Sequence, residues 1–167
     1  KLTELVYRAL NLSSIQSFLN ELLIHLSIKE DIEIRVMRVP SYKSHAFLNL
    51  EKGKLDGEQL YARAWKDRPL IDVFPEALFP SKEMVPTYSI GFRGFLLNSV
   101  IRSLIHELLH KSGLESEDEV RKRVEEHYSQ FRYKYLKQLE EELKPILKEW
   151  REFEINHVYR SKVNESY

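Results

Sequence analysis

Two histidines and a glutamate lie within five consecutive residues, in the order His106-Glu107-Leu108-Leu109-His110. On a helix, side chains four residues apart project from one face, so both imidazoles could bind a single tetrahedral zinc ion. Glu107 would lie about 100 degrees around the helix from His106. A carboxylate there can reach a metal-bound water without becoming a ligand, as a general base must. The pattern therefore indicates metal-assisted hydrolysis.

A third metal ligand is expected among the carboxylates that follow this motif. The acidic cluster consists of Glu115, Glu117, Asp118 and Glu119. Glu117 precedes Val120 by three residues, so it shares the helix face that should pack onto the histidine helix. Glu119 should lie toward solvent and cap its own helix. We therefore prefer Glu117 as the ligand, with Glu119 and His127 as alternatives.

Each assignment has a structural alternative. His106 and His110 could be core histidines bonded to carbonyl groups. Glu117 could be a charge that favours a helix N-terminus. A hydrogen-bond donor to an oxyanion could come from His127, Tyr128, His157 or Tyr159, but no spacing argument selects one of them.

The motif lies on a predicted helix over residues 92–112, where apolar side chains cover most of the circumference. Such a helix belongs inside a domain. Gly113 is expected to end it in the left-handed conformation. Ser116 and Glu119 then form a capping box that begins another helix, so two helices should meet at a tight corner.

The preceding residues predict a helix and a small sheet. Residues 2–27 follow helical spacing from Ser13 onward, with Ser13 or Ser14 as the cap. Strands are predicted at residues 32–36, 45–50, 60–65 and 70–74.

A long helical extension is predicted beyond Phe131. Its apolar stripe, in steps of three and four, consists of Leu136, Leu139, Leu143, Ile146, Trp150 and Phe153. The stripe would seat the helix along the domain or against a second copy of the chain. Pro145 is expected to bend this helix. The predicted fold class is thus α+β, with a small twisted sheet of three or four strands packed on the HExxH helix, a following helix and the C-terminal extension.

Composition excludes several classes of function. Lysine plus arginine number 26, as do aspartate plus glutamate, so net charge draws the chain to neither nucleic acid nor an anionic membrane. No apolar run approaches the roughly 20 residues of a membrane span. Cysteine is absent, which excludes disulfides and thiolate metal sites and favours a cytoplasmic location. A metal would have to be bound by histidines and carboxylates.

His106 to His110, followed by an acidic helix, resembles the active site of the zincin metallopeptidases. Within them the chain is similar to the gluzincins, whose third ligand is a glutamate on a succeeding helix, and to the small soluble archaeal minigluzincins. The resemblance implies a minimal zincin-like domain at residues 1–130, with residues 131–167 as the extension. The related metzincin pattern HExxHxxGxxH is not matched, because Ser116 stands at its last position.

This resemblance implies a Zn²⁺-dependent endopeptidase whose peptide or protein substrate lies extended along a sheet edge. Residues 45–50 or 70–74 are the strands expected to supply that edge. Two other functions stay open. One is a latent or inactive zinc-binding relative, in which residues 157–167 cover the zinc. The other is a module that forms a homodimer through the C-terminal helix and carries the motif by accident.

Overall fold

The computed structural model describes residues 1–38, 62–75 and 91–165, with side chains as far as residue 154. The chain has an α+β fold with a small mixed sheet and a long C-terminal helix. In order, the elements are α1 (Leu2–Leu10), α2 (Ser13–His25), β1 (Glu33–Val36), β2 (Ala62–Ala64), β3 (Leu70–Val73), α3 (Phe92–Phe95), a π-helical segment (Leu96–Ile101), α4 (Arg102–Lys111) and α5 (Glu117–Glu165).

The sheet has three described strands in the order β1-β3-β2. β1 runs parallel to β3, with Val36 opposite Val73, and β2 runs antiparallel to β3, with Ala64 opposite Ile71. The prediction that residues 70–74 supply an exposed edge is wrong, because β3 is hydrogen-bonded on both sides. The predicted strand at residues 45–50 lies outside the described residues.

A buried carboxylate ties the three strands together. Asp72, on the central strand, is completely buried. Its Oδ1 accepts a hydrogen bond from Arg35 Nε on β1 at 2.8 Å, and its Oδ2 accepts one from Arg35 Nη2 at 3.1 Å. Trp65 Nε1, just after β2, donates to Oδ2 at 2.8 Å. Charge-assisted bonds of this kind are stronger than neutral ones, so Asp72 holds the β2–β3 hairpin in place.

The N-terminal segment forms two helices, where the sequence pattern predicted one. A turn at Asn11 and Leu12 separates α1 from α2. Neither Ser13 nor Ser14 is the cap, because both are already helical and Leu12 occupies the N-cap position. Instead Glu142 of α5 accepts hydrogen bonds from Ser14 N at 2.8 Å and Ser13 Oγ at 3.0 Å. A distant carboxylate thus satisfies one of the orphan backbone donors of this helix end, the Ser14 N–H.

The C-terminal helix α5 runs for 49 residues without a break, through both the predicted domain boundary and Pro145. Its apolar stripe is buried within the chain, with Leu139, Leu143, Ile146 and Trp150 in the core. Helix α5 contacts both α1 and α2. The stripe therefore seats α5 along the domain. A homodimer through this helix would need another of its faces and stays a prediction.

The helical run from α3 to α4 passes through the interior. The predicted span of 92–112 is observed as Phe92 to Lys111, and its buried side chains include Phe92, Phe95, Leu104 and Leu108. The π-helical segment inside it was not foreseen. Across the described ranges, no helix combines the length and apolar character needed to cross a bilayer.

Candidate metal centre

Helix α4 places its motif at the boundary between core and surface. Leu104, Ile105, Leu108 and Leu109 are almost completely buried and fix the rotation of the helix. The motif histidines therefore project from its other side, where the His106 side chain is 31% exposed and that of His110 is 25% exposed. Both imidazoles are held by a packed helix and still accessible to a ligand.

The predicted glycine cap is confirmed and takes part in the site. Gly113 has φ +102, a conformation that costs residues with a Cβ about 1–2 kcal/mol. Gly113 N donates to His110 O at 3.0 Å and Leu114 N to Leu109 O at 3.3 Å. These two bonds form a Schellman motif, which reverses the chain just beyond the second histidine.

The reversed chain brings Glu117 to the two histidines. His110 Nε2 lies 3.0 Å from Glu117 Oε1, His106 Nε2 lies 3.5 Å from Glu117 Oε2, and the two Nε2 atoms are 3.1 Å apart. A tetrahedral zinc ion with bonds of about 2.0–2.1 Å needs ligand atoms about 3.3 Å apart. Two imidazoles and a carboxylate form a recognised zinc donor set. The three residues are therefore close enough to hold a metal ion, and their donor atoms fit zinc.

The alternatives to Glu117 lie elsewhere. Glu119 Oε1 accepts a hydrogen bond from Arg123 Nε at 3.2 Å, while Glu119 N donates to Ser116 Oγ at 3.4 Å. Ser116 Oγ thus caps the Glu119 amide as predicted, whereas the Glu119 carboxylate, predicted to cap the helix, pairs with Arg123. His127 is about 15 Å farther along α5 than Glu117, at 1.5 Å per residue. Its ring packs against that of His25, with 5.4 Å between centroids.

Glu107 faces a different neighbour from the histidines. Its Oε2 accepts a hydrogen bond from the backbone N–H of Ala64, on β2, at 3.0 Å. One turn later on α4, Lys111 Nζ donates to the carbonyl oxygen of Arg68 in the β2–β3 turn. Helix α4 therefore presents His106 and His110 to α5 and presents Glu107 and Lys111 to the hairpin.

Of the four predicted oxyanion donors, Tyr128 and His127 contact other described residues, and His157 and Tyr159 belong to the last turns of α5. Tyr128 OH donates to Asn98 Oδ1 at 3.1 Å, and the Arg102 guanidinium lies over the tyrosine ring, 4.2 Å from its centroid. His127 packs against His25, as described above. His157 and Tyr159 are about 60 Å or more along α5 from Glu117. The sequence offered no spacing to separate these roles, and only the path of α5 does so.

Two backbone groups at the site escaped the sequence analysis, since backbone donors and acceptors carry no residue-type signal. The Ala64 amide reaches Glu107, and the Leu114 carbonyl lies 3.0 Å from His110 Nδ1. Gly113 was a usable signal for the second contact, because it predicts the reversal that places Leu114.

Comparisons with protein-family models, with curated proteins and with solved structures found no match to this chain.

Proposed function

We propose that the protein is a zinc-dependent endopeptidase of the gluzincin type. His106, His110 and Glu117 would hold the ion, and Glu107 would act as the general base. The observation that carries this proposal is the triangle of His106 Nε2, His110 Nε2 and Glu117 carboxylate oxygens, with separations of 3.0–3.5 Å. Helix α4, which bears the motif, contacts β2 and β3 on one side and α5 on another. This arrangement supports a zincin-type packing around the HExxH helix.

The chemistry assigned to this site is hydrolysis of a peptide bond. A zinc ion bound there would lower the pKa of a bound water to about 7 and polarise the substrate carbonyl. Glu107 takes a proton from the attacking water and passes it to the leaving nitrogen. Glu107 follows His106 on α4 but accepts its hydrogen bond from β2, so it stands apart from the three residues that would hold the ion.

The peptide would bind along β2 and not along β3. Among the described strands β2 lies at an edge, whereas β3 is central. The Ala64 amide of β2 is also the group that contacts Glu107. An extended peptide added to this edge would gain main-chain hydrogen bonds and run past the general base.

Metal analysis combined with digestion of a broad peptide library tests the proposal. The purified full chain is expected to bind one zinc ion and to cleave peptides internally. E107Q is expected to keep the metal and lose turnover, because glutamine cannot accept the proton. Protein that stays metal-free when zinc is supplied would refute the site. Undiminished cleavage by E107Q would refute the mechanism.

In the latent alternative, residues 157–167 would cover the zinc. Residues 157–165 continue α5 about 60 Å from Glu117, so in this conformation they do not reach the triad of the same molecule. Deletion of residues 155–167 is therefore expected to leave activity unchanged in dilute solution. The other alternative, a dimerisation module with an accidental motif, predicts that the protein binds no zinc. Elemental analysis separates it from the peptidase, and light scattering tests the dimer.

A further inference from the structure

The backbone hydrogen bonds of β2 define which side of it faces away from β3. Trp65 N donates to Leu70 O at 3.0 Å and so points toward β3. Because successive amides of a strand point in opposite directions, the Ala64 N–H points away from β3. It is this outward amide that reaches Glu107 Oε2, at 3.0 Å. The contact therefore uses no donor that the β2–β3 pairing needs.

The hairpin that carries this amide is held at several points. Asp72 fixes Trp65, the residue after Ala64, through the indole Nε1 at 2.8 Å. Lys111 bonds to the carbonyl of Arg68 in the turn. The Ala64 amide is thus presented to α4 by a clamped strand, and its position relative to Glu107 is set by the fold.

We propose that the Ala64 amide positions the general base. The terminal torsion of a glutamate side chain is broad, so a hydrogen bond to one of its oxygens narrows the orientations that the Glu107 carboxylate adopts. A hydrogen bond to an ionised acceptor is stronger than a neutral one and restricts that rotation. With Oε2 held by the Ala64 N–H, the rotation of the Glu107 carboxylate about its terminal torsion is restricted. This inference rests on the proposed function.

The hydrogen bond between Ala64 and Glu107 also determines which backbone donors of β2 a bound peptide can use. Because Glu107 takes the Ala64 N–H, a peptide strand on β2 does not depend on it. Ala62 lies two residues earlier and presents its N–H to the same side. Removal of the Ala64 donor should therefore affect kcat, whereas removal of the Ala62 donor should affect KM.

Amide hydrogen exchange in the metal-free full chain tests the contact without reference to activity. In E107A, the Ala64 amide is expected to exchange at least about 10-fold faster than in the wild type, as loss of a hydrogen bond to a charged acceptor predicts. The Trp65 amide, bonded to Leu70 O, is the internal control and should not change. Unchanged exchange at Ala64 would overturn the inference, even in a protein that binds zinc and cleaves peptides.

Kinetics with a cleaved peptide test the positioning role. Proline is tolerated on an edge strand where the N–H points outward, so both alanines can be replaced. A64P is expected to lower kcat about 100-fold, the typical cost of a misplaced catalytic group, with KM and zinc content unchanged. A62P is expected to raise KM and leave kcat unchanged. An A64P variant with raised KM and normal kcat would overturn the inference, because the amide would then serve the peptide.

The two measurements separate this inference from the proposed function. If the wild type cleaves no peptide, the proposed function fails, and the exchange experiment still decides whether Ala64 holds Glu107. If the wild type cleaves peptides but the exchange at Ala64 is insensitive to E107A, only the positioning role fails.

Discussion

The Nδ1 atom of His110 lies 3.0 Å from the carbonyl oxygen of Leu114. A carbonyl can only accept a hydrogen bond, so Nδ1 carries the proton. In the neutral imidazole Nε2 then carries a lone pair, and Nε2 is the atom that lies 3.0 Å from Glu117 Oε1. The turn after α4 thus selects the tautomer in which His110 can bind a metal through Nε2.

Substitution of Gly113 should weaken metal binding through this turn. G113A places a Cβ at φ +102, which costs about 1–2 kcal/mol and displaces the Leu114 carbonyl. Loss of such a partner of a ligating histidine typically costs about 10–100-fold in metal affinity. Zinc competition titration measures the effect.

Gly91 supplies the matched control for that experiment. An added Cβ meets no atom within 4 Å at either glycine, but only Gly113 has positive φ. G91A should therefore bind zinc as tightly as the wild type. Equal zinc affinity in G113A and the wild type would show that the turn does not orient His110.

Glu117 and Glu119 offer a second matched pair. E117A removes one corner of the triangle and is expected to lower zinc affinity by more than about 100-fold while the fold is retained. E119A removes only the partner of Arg123 and should keep stoichiometric zinc. Elemental analysis after dialysis, with circular dichroism as the folding check, distinguishes the two. Stoichiometric zinc in E117A would remove Glu117 from the site.

Among the acidic residues of the sheet, replacement of Asp72 is expected to lower the free energy of unfolding most. D72A removes the acceptor of three hydrogen bonds, two donated by Arg35 and one donated by the Trp65 indole. Bonds to a buried carboxylate contribute about 1.5–3 kcal/mol, so the free energy of unfolding should fall by about 3 kcal/mol. Urea denaturation measures it. D67A, at an exposed position of the same hairpin, should change it by less than about 0.5 kcal/mol.

His127 should make the protein less stable in mild acid. Burial lowers the pKa of His127 below its usual value of about 6.5, and the nearby His25 and Arg123 add to this, while Glu126 and a hydrogen bond to Gln130 oppose it. The unfolded chain therefore binds the proton more tightly than the folded one. The free energy of unfolding is therefore highest above pH 6.5, where His127 is neutral in both states. It declines as pH falls toward the lower pKa of His127 in the folded chain.

Urea denaturation between about pH 7.5 and 5 tests whether the free energy of unfolding falls with pH as expected. The slope from one proton is at most about 1.4 kcal/mol per pH unit, and H127F should abolish that share. H25F should reduce the slope without abolishing it, since burial is the largest cause. The assignment would be contradicted if the free energy of unfolding rose as pH fell in both H127F and the wild type.

Local patterns were sufficient for the helices around the site. The 3.6-residue period and Gly113 predicted where the motif helix lies and where it ends, and helical phase favoured Glu117 over Glu119. These signals depend on residues within a few positions of one another. The structure places the triad atoms together and leaves Glu119 with Arg123. The identity of the ion and the reaction stay predictions.

The sequence by itself determined which residues could meet on one helix and at its corner, because helical spacing and a required left-handed glycine are local properties. Only the tertiary structure decided which strand is central, which edge faces Glu107 and what caps α2. Those outcomes depend on contacts between residues far apart in the chain, such as Ala64 with Glu107 and Ser14 with Glu142. A local pattern of side chains contains no information about which backbone amides or strands will meet. Only the folded structure shows those contacts.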